Sequence, residues 1–189
     1  YDINNNGLPD DPWYELAGSE YRNPATHHGY TITYHRPDPG RDIIGDATGN
    51  LTDLHYIAWN DSEGASGHIA QNIFHRQDYY PRWIDTDAMS FTGSCLPRNA
   101  VDTSGDGSYF ILYSYPWGYV DNHPNEYADL NSFDISRAVD ADGHPVDLPG
   151  ADFIRVYTGV NQSCGWLGET STELCRAQDL HIDTPNQFY

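Results

Sequence analysis

The stretch "YTITYHR", Tyr30 to Arg36, alternates along its length and is rich in β-formers, so it reads as a strand. Working outward, "LHYIAW" (54–59), "GHIAQNIFH" (67–75), "SYFILYSY" (108–115) and "ADFIRVYTG" (151–159) read the same way. Turn signals separate them: Pro37, Pro39 and Gly40, the run "NDSEGASG", Asp106-Gly107 and Asp142-Gly143. Helical periodicity is scarce. "PWYELA" is expected to form a brief helix, with Asp11 as its cap, Pro12 at its first position and Gly18 at its end. Thr170 and Glu173 form a T-x-x-E capping box ahead of "LCRAQ". No internal repeat or linker divides the 189 residues, which suit one domain spanning 1–189. The expectation is therefore all-β: a β-sandwich of jelly-roll type with one or two short helices and long loops.

Composition narrows the function. The chain carries 28 acids, nine arginines and no lysine, for a formal charge of −19. Such a surface repels nucleic-acid phosphates and anionic membranes. No stretch approaches the roughly 20 apolar residues of a membrane span, so this domain is not expected to insert into one directly. Tyr1 is not a natural start, and the chain is expected to be a fragment of a longer precursor. Fifteen Tyr, five Trp and six Phe are more rings than an ordinary core needs. They argue for a rigid aromatic recognition surface as well as a ring-filled interior. Of three cysteines, Cys164 and Cys175 could bridge a loop of about 12 residues, worth about 3 kcal/mol. Cys95 is then left over, and no zinc spacing is present.

The opening "DINNNGLPDD" places Asp2, Asn4 and Asn6 alternately, then Gly7 and Asp10, the D-x-[DN]-x-[DN]-G pattern of calcium loops. Side chains of Asp2, Asn4, Asn6 and Asp10 with the Leu8 carbonyl would supply at least five hard oxygens. The bidentate acid of an EF-hand is missing, since its position holds Trp13, so this would be a shorter loop. The other reading is an empty Asx-rich turn. A calcium here would be structural.

"VDTSGDGSY" (101–109) imitates a second calcium loop through Asp102, Ser104 and Asp106, but runs into a strand and reads better as a hairpin turn. "VDADGHPVD" (139–147) reads as a turn around Asp142-Gly143. His27 and His28 fall in a loop, where solvent exposure is the default. "NIFHRQDYYPRW" sets His75 beside Asp78, Tyr79, Tyr80 and Trp83, either as a ligand cleft or as a satisfied strand histidine. "SYPWGYVDNHPNEY" (114–127) is the most suggestive loop. Trp117, Tyr119, His123 and Asn125 offer ring faces and hydrogen-bonding groups to a flat, polar-rimmed ligand. "NQSCGWLGE" (161–169) adds Trp166. Enzymatic signatures are poor: there is no G-x-S-x-G and no phosphate loop, and Glu169 with Glu173 is a weak glycosidase pair. A non-catalytic protein is expected.

Four stretches, "DINNNGLPDDPWYELAGSEY", "NIFHRQDYYPRWI", "PWGYVDN" and "GADFIRVYTGVNQSCGWLGETSTEL", resemble a family of surface lipoproteins of gut Bacteroidetes. The resemblance spans essentially the whole chain. Members are commonly encoded beside outer-membrane cobalamin transporters, and one class binds vitamin B12. The resemblance implies the C-terminal globular domain of a lipid-anchored protein at the outer-membrane surface. It would capture cobalamin for a TonB-dependent transporter and would contact no nucleic acid. Cobalamin is broad and amide-rimmed, which suits aromatic faces and Asn, Asp or backbone partners. A histidine could also replace an axial ligand of its cobalt, and His123 is the choice because it lies in the aromatic loop. A calcium-stabilised glycan-binding module is the competing expectation.

Overall fold

The computed structural model describes residues 1–168 and 170–181, and these are strand-built and antiparallel. Eight strands occur: β1 (Glu15–Leu16), β2 (His27–His35), β3 (Leu51–Asp61), β4 (Ser66–Asn72), β5 (Ala88–Cys95), β6 (Ala100–Asp102), β7 (Phe110–Leu112) and β8 (Ala138–Val139). The main sheet runs β4-β3-β2-β5, and β1-β8 and β6-β7 are two-stranded ribbons. Among the described residues helix is limited to two single 3-10 turns, Ile135–Arg137 and Gly165–Leu167. Among the described residues no helix is long and apolar enough to cross a membrane.

The alternation of Tyr30–Arg36 does what its pattern predicts. Tyr34 pairs with Trp59 on one side and Met89 on the other, while Ile32 pairs with Phe91, giving the sheet an apolar face. Thr31, Thr33 and His35 point the opposite way. There Thr31 bonds Thr92 and Thr33 bonds Ser90, both at 2.7 Å between hydroxyl oxygens, and His35 Nε2 meets Asn60 Oδ1 at 2.7 Å. The core gathers on the apolar face: Tyr56, Ile57 and Tyr80 are buried, and Tyr34, Ile69, Tyr79, Ile84 and Met89 pack against them.

The structure overturns both expected helices. Glu15 and Leu16, inside "PWYELA", form a strand that pairs with Val139 and Ala138. Burial decides this, because Ala138 and Val139 are nearly solvent-free and need the cover. Asp11 caps no helix; its Oδ2 accepts the N–H of Ile3 at 2.8 Å. The capping box at Thr170 fails because both its groups are already engaged. Thr170 Oγ1 accepts from Gln162 Nε2 at 3.0 Å, and the Glu173 N–H donates to Asp121 Oδ2 at 2.9 Å.

Two strand readings also change. "ADFIRVYTG" makes no strand, because its Tyr157 side chain does the pairing: the hydroxyl accepts the Ser94 N–H at 3.1 Å, on the outer edge of β5. The run 108–115 shrinks to Phe110–Leu112, since Asn122 takes both backbone groups of Tyr115 at 2.7 Å each. Strand β5 itself, "AMSFTGSC", lacked a propensity signal and exists through its hydroxyl pairs with β2. All three cysteines are free thiols, with Cys164 buried and Cys175 exposed, so the Cys164–Cys175 bridge does not form. Segment 102–107 does close the β6-β7 hairpin, and 140–143 does form a turn, with the Gly143 N–H donating to the Asp140 carbonyl at 3.0 Å.

Candidate functional site

The loop 114–127 is anchored residue by residue. The Trp117 carbonyl accepts the Ser19 N–H at 3.1 Å. Gly118, at φ +90°, lies against Gly18 so closely that a Cβ on it would sit 2.6 Å from the Gly18 Cα. The Tyr119 ring covers the other side of Gly18, and its hydroxyl accepts the Glu20 N–H at 2.9 Å. Burial pushes the Tyr119 hydroxyl up to about 12, as it does for Tyr115, whose ring stands 5.1 Å away. Asn122 then closes the loop on Tyr115.

This clamp leaves Trp117 outside, 40% exposed, with the Arg137 guanidinium 4.5 Å from its ring centroid. His123 is partly buried, and its Nε2 has no hydrogen-bond partner among the described residues, an expensive state for a polar atom. Asn125 is exposed. Of the loop's expected contact residues, Trp117 and Asn125 are exposed, the His123 Nε2 is enclosed, and Tyr119 is committed to holding the loop.

The remaining expected residues lie elsewhere. Tyr80 is buried in the core, with its hydroxyl donating to the Thr86 carbonyl at 2.8 Å and Arg36 over its ring at 4.6 Å. Tyr79 stands edge-on to Tyr56, and its hydroxyl donates to the His75 carbonyl at 3.0 Å. His27, His28 and His75 are exposed, the first two within β2. Trp166 lies against Phe74, ring centroids 5.4 Å apart and planes tilted by 57°, and donates its Nε1–H to the Ser108 carbonyl at 3.3 Å. Glu169, half of the weak acid pair, lies outside the described residues.

A groove of about 530 Å³ opens beside Tyr21, Asn23, Thr26, His28 and Asp142. None of the expected contact residues lines it. It nevertheless adjoins the clamp, because residues 18–20 lie under the Trp117 loop and lead straight into Tyr21. The Tyr21 and His28 rings lie 4.4 Å apart, tilted by 49°, and His28 bridges the Tyr21 carbonyl and the Ser94 hydroxyl at 2.9 and 3.0 Å. Arg137 and this groove escaped sequence reading, and Gly18 was read as the end of a helix rather than as the seat of Gly118, a partner that could not be read from the chain.

The opening loop closes on its own side chains, whose oxygens accept N–H groups of the same turn. Asp2 accepts the Asn6 and Gly7 N–H groups at 3.1 and 2.7 Å, and Asn6 Oδ1 accepts the Leu8 N–H at 2.8 Å. The amides of Asn4 and Asn6 turn to Asp10, at 3.4 and 3.0 Å. Left-handed backbone at Asn5 and Gly7 makes the turn tight enough for this. Four oxygen-bearing side chains around one turn are a hard donor set of the kind calcium takes. Asp102 is wired alike, accepting the Gly107 N–H at 2.9 Å, and the Ser104 hydroxyl first, with backbone N–H groups including that of Gly107 after it, holds its carboxyl below the usual carboxylate range. Asp140, Asp142 and His144 offer three further ligand atoms within 4.8 Å of one another.

No known family model matches the chain, and no curated protein is significantly similar to it.

Proposed function

We propose that this is a non-catalytic binding domain, displayed at the outer-membrane surface of a lipid-anchored protein, that captures cobalamin and hands it to a TonB-dependent transporter. The observation that carries the reading is Trp117: an exposed ring on a loop fixed at Gly18, Glu20 and Asn122, with an unpartnered imidazole nitrogen at His123 on the same loop. A ring held still loses little entropy when a flat ligand stacks on it. The His123 nitrogen is enclosed as well as unpartnered, so a cobalt centre would gain its lone pair only by displacing that cover. The adjoining groove offers room for the amide rim, lined by Asn23, Thr26 and Asp142. The resemblance to surface lipoproteins points the same way, and so does the acidic surface, which suits a neutral vitamin better than a polyanion. The jelly-roll sandwich belongs to this proposal, with the four-stranded sheet as one of its layers. Calcium, held by Asp2, Asn4, Asn6, Asp10 and the Leu8 carbonyl, would stiffen the start of the chain.

The test is co-elution. Purified protein at micromolar concentration is mixed with cyanocobalamin and passed through a gel-filtration column. The proposal expects red absorbance in the protein peak, reduced by Trp117→Ala and by His123→Ala. Vitamin that elutes entirely free removes it.

A glycan-binding module remains the second reading, favoured by one specific arrangement. On the β6-β7 ribbon Tyr109 and Tyr113, 63% and 56% exposed, share a face with Ile111, and Trp166 with Phe74 makes a separate platform. Rings spaced along a strand suit an extended neutral sugar chain. Oligosaccharide binding abolished by Tyr109→Ala or Trp166→Ala, and untouched by Trp117→Ala, would select it.

A further inference from the structure

We propose that His55 and His68, neighbours across β3 and β4, form a two-histidine site for a borderline divalent transition ion of the Zn²⁺, Ni²⁺ or Cu²⁺ type. The site is separate from the Trp117 loop and from the opening turn, and it does not depend on what either of them binds.

Regular alternation would send His55 inward, because it stands two places before Ile57, which is 3% exposed in the core. The β3-β4 register shifts between Asp53 and Ile57, and Tyr56 and Ile57 are both buried although they are consecutive. The irregularity re-aims the side chain before it, as bulges beside functional groups do. His55 is accordingly exposed and meets the exposed ring of His68. His68 pairs with Ala58, whose small side chain cannot block the second imidazole. The strand is also pinned at this point. The His55 N–H donates to Asp53 Oδ1 at 3.1 Å, and Asp53 is tied through Oδ2 to Arg41. A buried ion pair thus holds the backbone from which His55 projects, which lowers the cost of organising a site.

The ring spacing matches a chelate. Imidazole nitrogen binds such ions at about 2.0–2.1 Å, which puts each ring centroid about 3.2 Å from the metal. At ligand angles of about 90–110°, two centroids then stand about 4.5–5.3 Å apart. The His55 and His68 centroids are 4.7 Å apart, with planes tilted by 44°. Neither ring makes a hydrogen bond to another described residue, so both can turn a nitrogen to one ion without breaking a protein contact. Water would complete the shell. Imidazole suits zinc, nickel and copper, whereas calcium takes hard oxygens, so the pair and the opening loop select different ions. The formal charge of −19 draws cations of either kind to the surface.

Two measurements test the pair. Tag-free protein, stripped with chelator, dialysed and saturated with calcium, is titrated with NiCl₂ in a calorimeter. The tightest Ni²⁺ site should lie in the micromolar range. His55→Asn and His68→Asn should each weaken it by about tenfold or more, since either change leaves a single imidazole. His144→Asn should leave it unchanged; that residue belongs to the rival group Asp140, Asp142 and His144, whose ligand atoms lie within 4.8 Å of one another. In the second measurement, substoichiometric Cu²⁺ should broaden the ring resonances of His55 and His68 together. That signal is read on the wild type, so it decides the matter even where a substitution disturbs the fold. No Ni²⁺ binding at this level, an affinity that survives both histidine substitutions, a loss confined to His144→Asn, or broadening of only one of the two rings each overturns the proposal.

Discussion

Gly18 and Gly118 meet backbone to backbone, one hundred residues apart in sequence. A Cβ on Gly118 would fall 2.6 Å from the Gly18 Cα, and a Cβ on Gly18 would fall 2.5 Å from the Tyr119 ring. Two absent side chains thus let the Trp117 loop lie flat on the chain that precedes the groove. Gly118→Ala meets two penalties, backbone strain at φ +90° and collision with backbone that cannot turn away. It should destabilise the protein by about 2–4 kcal/mol and shift the fluorescence of Trp117. Urea denaturation measures the first, and a loss below about 0.5 kcal/mol would show that the contact is loose.

Asp53 is 1% exposed and is compensated by Arg41, whose Nε and Nη2 reach its Oδ2 at 3.0 and 2.6 Å. The same guanidinium lies 5.0 Å from the Tyr56 centroid, so it fills space in the core as well as balancing charge. Arg41→Ala should destabilise by about 3–5 kcal/mol, because it strands a buried carboxylate. The double variant Arg41→Met with Asp53→Leu should recover most of the loss. A single variant as stable as the wild type in denaturant would refute this account.

Four of the nine arginines, Arg36, Arg41, Arg137 and Arg155, sit on aromatic rings, which suits a chain with no lysine, since planar guanidinium stacks and ammonium does not. The composition showed the ingredients of that pattern but not the partners. Legibility followed range. Tyr30–Arg36 was readable because alternation is local, and so was the 102–107 turn, where Asp102 bonds its own neighbours. Glu15–Leu16 was misread because its partner lies at Ala138–Val139, and burial across that distance overrules helix propensity. Strand β5 was missed because Ala, Ser and Gly carry little β signal until Thr31 and Thr33 stand beside them. At the candidate site, Trp117 and His123 were chosen for their chemistry. Tyr80 had the same chemistry and went to the core, a distinction only packing could draw.

Tyr30, Tyr115 and Tyr119 are each pushed up to about 12, with burial as the leading cause. As pH rises past the ordinary value of about 10, the unfolded chain releases these protons while the folded chain keeps them. Their contribution to stability is therefore complete below pH 10 and is lost between about 10 and 12. A spectrophotometric titration should show a late class of tyrosines that ionises together with the loss of tertiary structure. If all fifteen ionise as one class near pH 10, the buried hydroxyls are not where the structure puts them.

Three free thiols of different accessibility give a direct check on the absence of a bridge. Cys175 is exposed, Cys95 is partly buried and Cys164 is 2% exposed, and burial pushes the thiols of Cys95 and Cys164 up. A thiol reagent at neutral pH should therefore titrate one group quickly in the native protein and all three in denaturant. A bridge between Cys164 and Cys175 would leave only Cys95 to react after unfolding.

Asp2 and Asp102 perform the same task in two loops, each accepting the N–H of a left-handed glycine five residues on, Gly7 at 2.7 Å and Gly107 at 2.9 Å. The first loop brings four oxygen-bearing side chains, Asp2, Asn4, Asn6 and Asp10, against Asp102, Ser104 and Asp106 in the second, so the two differ in how many hard donors they bring. Millimolar calcium should stabilise the protein by roughly 1–2 kcal/mol, a rise of about 2–8 °C in Tm over chelator-treated protein. Asp2→Asn should abolish that rise, whereas Asp102→Asn should lower Tm equally with and without calcium. A calcium response that survives Asp2→Asn and vanishes in Asp102→Asn would move the ion to the hairpin. No response in the wild type would leave both loops as turns that their own hydrogen bonds suffice to close.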